Sequence, residues 1–68
     1  MRISARNQIR GTVTEVRTGV TTAHVMVDIG GNVVTSSITN ESVDGFGIKP
    51  GSSAYVVIKA SDVMIGVD

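Results

Sequence analysis

Ala23-His24-Val25-Met26-Val27-Asp28-Ile29-Gly30-Gly31-Asn32 decides the fold. Ala23, Val25, Val27 and Ile29 fall on one side of an extended chain, and His24, Met26 and Asp28 on the other. That two-residue period belongs to a strand with one buried face. Gly30-Gly31-Asn32 then marks a hairpin, because glycine accepts the positive φ of a tight turn. The stretch predicts a strand over 23–29, a turn, and a partner strand over 32–38.

Working outward, β-branched residues predict a first strand over 3–17. Gly11 in its middle marks a bulge or bend, and Thr18-Gly19 a turn. Downstream, Thr39-Asn40-Glu41-Ser42 changes character. Thr39 or Asn40 suits the first free N–H groups of a helix, and Glu41 suits its positive end. The prediction is a short helix near 40–46, ended by Gly45 or Gly47, with Val43, Phe46 and Ile48 buried. Lys49-Pro50-Gly51 reads as a turn. A fourth strand follows over 53–59, Ala60-Ser61-Asp62 is a brief turn, and a fifth strand covers 63–67. Five strands with a short helix between the third and fourth predict an all-β, five-stranded OB-like barrel, residues 1–68 forming one domain.

The chain has 68 residues and no cysteine. A domain this small is marginal alone, and disulfides and thiolate metal sites are removed. His24 is the single histidine, which argues against a histidine metal cluster. Oligomerisation is then the expected extra source of stability, in keeping with a mean hydropathy of +0.25. No apolar targeting segment follows Met1 and no run is long enough to span a bilayer, so the chain reads as soluble, cytoplasmic and free of membrane contact. Net charge is zero, but Arg2, Arg6, Arg10 and Arg17 crowd the first 17 residues against Glu15 alone. Such a segment faces an anion or an acidic neighbour, or is a charged, solvated edge strand.

Enzyme readings find little support. A nucleophilic triad needs a base and an orienting group, and mid-strand His24 reads as a satisfied or solvent-facing strand side chain. Gly30-Gly31 precedes a strand pattern rather than a helix, so it is not a phosphate loop. A nucleic-acid binder needs stacking aromatics and a basic footprint. This neutral chain has only Phe46, assigned above to the core, and Tyr55.

Three polar clusters remain. Ser4-Ala5-Arg6-Asn7-Gln8 combines a hydroxyl, a guanidinium and two amides; on residue types alone it reads as a frayed strand end or as a grip for an oxyanion. Thr39 and Ser42 lie near the start of the short helix. Lys59-Ala60-Ser61 places a cation before a turn that offers N–H groups. Together they point to an oxyanion site.

Ser4-Ala5-Arg6-Asn7-Gln8 followed by Gly11 resembles the molbindins, small cytoplasmic molybdate- or tungstate-binding proteins. The likeness continues through Ile38-Thr39, Ser42-Val43, Val57-Ile58-Lys59-Ala60 and Asp62-Val63-Met64. It implies a hexamer, a trimer of dimers, whose first strand reaches across to a neighbour. Oxyanions would sit between subunits in two classes of site. In the main class Ser4, Arg6 and the Ala5 N–H of one subunit would meet Thr39, Ser42, Lys59 and the Ala60 N–H of another. Some relatives carry serine where this chain has Ala60, a change that keeps the backbone N–H. The second class lies near a threefold axis, and the Gly19-Val20-Thr21 turn is its candidate.

The chemistry implied is coherent. Molybdate is a tetrahedral dianion without a proton at neutral pH, so a lining made only of donors suits it. Phosphate is partly protonated and would lack an acceptor there. Charge-assisted hydrogen bonds of roughly 1.5–3 kcal/mol each could together reach the roughly 8 kcal/mol of micromolar binding. The expected function is oxyanion storage or homeostasis, with no catalysis. The alternatives are an oxyanion-sensing module acting through a protein partner and an OB-type nucleic-acid binder.

Overall fold

A computed structural model describes residues 1–68. Four strands and a short helix run in the order β1 (Asn7–Thr18), β2 (Thr22–Asp28), β3 (Val33–Thr39), α1 (Asn40–Phe46) and β4 (Ser53–Ile58). A 3-10 turn at Ala60–Asp62 follows β4. The four strands form one antiparallel sheet in the order β3-β2-β1-β4. Each turn has a local cause. The Gly19 N–H donates to the Thr22 carbonyl and closes the β1–β2 hairpin. Gly30 and Gly31 take φ of 107° and 105° in the β2–β3 hairpin. Their N–H groups donate to one Asp28 carboxylate oxygen at 3.0 and 2.9 Å. Gly47, at φ 65°, ends α1 in the left-handed conformation while Gly45 stays inside the helix.

The core is Val13, Ala23, Val25, Val27, Val43 and Val56. Alternate residues of β2 supply three of the six, as their period requires, and Val43 of α1 covers them. Ile9, Val16, Ile29, Val34, Ile38 and Ile48 pack around this centre.

Four expectations are corrected. The sheet has four strands, not five: residues 63–67 form no strand, and Val63, Met64, Ile65 and Val67 are exposed. A strand exists only by pairing, and no edge of this chain's own sheet takes this segment. β1 begins at Asn7 rather than Ile3, because its ladder with β4 starts at the pair Asn7–Ile58. The bulge lies between Val13 and Glu15, not at Gly11. Gly11 instead permits a close approach: a Cβ there would stand 2.5 Å from the Asp28 carbonyl oxygen. Finally, Phe46 is 78% exposed, although Val43 is buried and Ile48 half-buried. Phe46 is the last residue of the helix, and its ring stands largely in solvent at the margin of the core. There it lines an open apolar groove of about 680 Å³ with Met1, Ile48, Ala54, Tyr55 and Val57.

Two outcomes test this fold. Gly11→Ala should cost about 1–3 kcal/mol through overpacking, read by denaturant unfolding. The second concerns the Asp28 hairpin. The Gly31 and then the Gly30 N–H hold the Asp28 carboxyl below its usual value of 3.8. A lowered folded value means that its stabilisation is complete above that ordinary value and is lost as pH falls through the folded one. Asp28→Ala should therefore lower the melting temperature at pH 7, with the difference from the parent protein shrinking in strong acid.

Candidate functional site

β1 places two donor sets at opposite ends of the sheet. At its N-terminal end the Asn7 side-chain amide donates to the Ile58 carbonyl at 3.1 Å. Arg6 and Lys59 are the next residues outward from the Asn7–Ile58 pair. Both cations are exposed, and neither has a carboxylate partner, since the single ion pair joins Arg17 to Glu15. Ile3, Ser4, Ala5, Arg6 and Gln8 line an open dish of about 500 Å³. The N–H groups of Ser4, Ala5 and Arg6 make no bond within the chain. The Ser4 hydroxyl and the Arg6 guanidinium are equally unengaged. Across the corner the 3-10 turn bonds Asp62 N–H to the Lys59 carbonyl and Val63 N–H to the Ala60 carbonyl. The Ala60 and Ser61 N–H groups that open it have no partner inside the turn.

Two of the loop's carbonyls, by contrast, are engaged. Gln8 Nε2 donates to the Ala5 carbonyl at 2.7 Å, with a longer contact of 3.5 Å to the Ile3 carbonyl. The corner therefore presents donors and two positive charges.

At the other end of β1, Thr22 of β2 pairs with Thr39 of β3. Thr39 caps α1: its Oγ1 accepts from the Ser42 N–H at 3.1 Å and donates to Ser42 Oγ at 2.9 Å. Ser42 keeps its own O–H free. The Gly19-Val20-Thr21 turn adjoins this cap. Asn40 Nδ2 donates to the Gly19 and Val20 carbonyls at 3.0 and 3.3 Å, and the Asn40 N–H donates to the Thr21 carbonyl. The Val20 and Thr21 N–H groups make no bond within the chain.

The structure thus brings Ser4, Ala5, Arg6, Lys59 and Ala60 to one corner and Thr39, Ser42, Gly19, Val20 and Thr21 to another. It does not bring the two groups together: β1 spans twelve residues, roughly 36 Å along the strand at about 3.3 Å per residue. Thr39 turns out to be engaged as a helix cap. Gln8, one of the two amides of the N-terminal pentapeptide, and Asn40, a candidate cap of the helix, shape the two corners instead by donating their side-chain N–H groups to loop carbonyls.

Other concavities suit an anion less. One of about 580 Å³ is lined by Arg10, Asp28 and Ser53 among others. Its cation is tied to Ser53 Oγ at 3.2 Å, and the Asp28 carboxylate repels negative charge. The apolar groove beside Phe46 has no cation in its lining. No cluster of three His, Cys, Asp or Glu could hold a metal ion, and no helix is long and apolar enough to cross a membrane.

Comparison with known proteins gives these corners a family context. The TOBE domain model matches residues 3–65. Molybdenum-pterin-binding protein 1 of Clostridium pasteurianum is 50% identical over 66 residues, covering 96% of this chain and 97% of its own length. The structure of a molybdate-binding protein from Sporomusa ovata superposes with a TM-score of 0.94 at 30% identity, over 98% of this chain and all of that one. That of the cytoplasmic molybdate-binding protein ModG, with molybdate bound, does so with a TM-score of 0.94 at 48% identity. It covers all of this chain and 49% of ModG. The chain belongs to the TOBE-domain family, as a small domain of the molbindin type.

Proposed function

We propose that this protein binds molybdate, or tungstate, between copies of itself and serves as a cytoplasmic store of the oxyanion. One observation carries the reading: the corner formed by Ser4, Ala5, Arg6, Lys59 and Ala60 holds unengaged donors and two unpaired cations, with the Ala5 and Ile3 carbonyls taken up by Gln8. An unprotonated dianion needs that lining. Relatives described as molybdate-binding share the fold over nearly the whole chain.

The site lies between chains because one copy cannot complete it. Ser42 and Thr39 sit at the far end of β1 from Arg6, so their hydroxyls reach the anion only from a neighbour. Two further features support assembly. Residues 63–67 are apolar and exposed, and β3 and β4 leave two sheet edges open. The fifth strand forms when this segment pairs with a neighbouring copy, which also covers the groove beside Phe46. The assembly is a hexamer built as a trimer of dimers. The outward N–H groups of the Gly19-Val20-Thr21 turn serve a second class of site, near the threefold axis. Neither nucleic acid nor a membrane has a place in this arrangement, and no step of it is catalytic.

Arg6→Ala should weaken molybdate binding by about 10- to 100-fold, the size of a lost charge-assisted hydrogen bond, while the oligomer persists. Calorimetry beside native mass measurement reads both; unchanged affinity removes Arg6 from the site. Saturating molybdate should also raise the melting temperature of the parent protein, because the ligand binds only the folded assembly. A flat response counts against sites between subunits.

A further inference from the structure

We propose that Gln8 is a positioning residue for the oxyanion site: its amide holds the Ile3 and Ala5 carbonyls of the N-terminal loop, so that the N–H groups of the same two peptides are left to face the anion. The inference rests on the reading of Ser4, Ala5 and Arg6 as ligands and deepens it.

Each peptide here is trans. In a planar trans peptide the C=O and the following N–H point in opposite directions. Gln8 Nε2 holds the Ala5 carbonyl at 2.7 Å, which turns the Arg6 N–H away from Gln8. The longer 3.5 Å contact to the Ile3 carbonyl biases the Ser4 N–H in the same sense. The Ser4–Ala5 peptide, which carries the Ala5 N–H, lies between these two held peptides. Gln8 is thus the brace for the Ser4 and Arg6 N–H groups, on either side of the Ala5 N–H, in a segment that has no secondary structure of its own.

Gln8 is not itself a ligand. Its two N–H bonds point at carbonyls, and the group left over is its side-chain oxygen, an acceptor that a dianion repels. Gln8 nevertheless lines the dish with Ser4, Ala5 and Arg6, so loss of its bonds would let a carbonyl swing towards the anion. Its place on β1 makes it a firm anchor, because Gln8 is paired with Val57 of β4. The Asn40 amide treats the Gly19 and Val20 carbonyls in the same way at the other corner.

The test uses the assembled protein and sodium molybdate, with parent, Arg6→Ala, Gln8→Met and Gln8→Lys compared. Gln8→Met keeps the shape of the side chain and removes its donors. It should weaken molybdate by about tenfold, as one hydrogen bond is worth, with the melting temperature nearly unchanged. Backbone NMR order parameters at Ser4–Arg6 should fall in the anion-free protein while those of β1 hold. Gln8→Lys restores N–H donors and should recover affinity at high ionic strength, where its added charge is screened. Parent-like affinity and order in Gln8→Met overturn the inference. If Gln8→Met fails to assemble, Gln8→Lys decides: restored binding upholds the brace, and lost binding assigns Gln8 to the fold alone. If Arg6→Ala binds like the parent, the site reading itself fails, and the brace with it.

Discussion

β1 pairs along both edges, with β2 on one side and β4 on the other, and the rest of the structure depends on that double pairing. It carries Val13, the most deeply enclosed large side chain of the core. It holds Arg6 beside Lys59 at one end through the Asn7–Ile58 pair, and sets the Gly19 turn beside α1 at the other. Because the strand is rigidly paired, the two donor-rich corners cannot fold onto each other. In the proposed assembly that separation is the reason each chain contributes half of two sites rather than the whole of one.

The chemistry of the corners follows from which backbone groups are already engaged. Between paired strands, N–H and C=O groups satisfy each other. At the corners amide side chains take up carbonyls and leave N–H groups over: Gln8 at Ile3 and Ala5, Asn40 at Gly19 and Val20. A loop whose free N–H groups outnumber its free carbonyls suits a ligand made of acceptors. A tetrahedral dianion supplies four acceptor oxygens and no competing proton. Arg6 and Lys59 add charge, and neither is ion-paired with a carboxylate.

Local pattern revealed more of the fold than of the site. The alternation over 23–29, the glycine hairpin and the Thr39 cap act on neighbouring residues, so strands and helix were placed within a few residues and α1 at its observed bounds. The apolar period of residues 63–67 is real, but a strand also needs a partner edge, and a pattern within one segment carries no information about that edge. Phe46 shows a similar limit: helical spacing puts it on the buried stripe, yet at the last position of the helix its ring is left mostly exposed. At the site, Ser4, Arg6, Lys59 and Thr39 stood out by residue type. Their division into two corners depends on strand register, and the work of Gln8 depends on the orientation of single peptide planes; neither is written in residue spacing.

The most direct measurement of the central claim is anomalous diffraction at the molybdenum edge from crystals grown with molybdate. The account predicts a peak between two chains, within hydrogen-bonding distance of Ser4 Oγ, Arg6, Lys59 and the Ala5 and Ala60 N–H groups of one copy, and of Ser42 Oγ of a neighbour. A peak enclosed by a single copy, or one lodged beside Arg10 and Asp28, would contradict it.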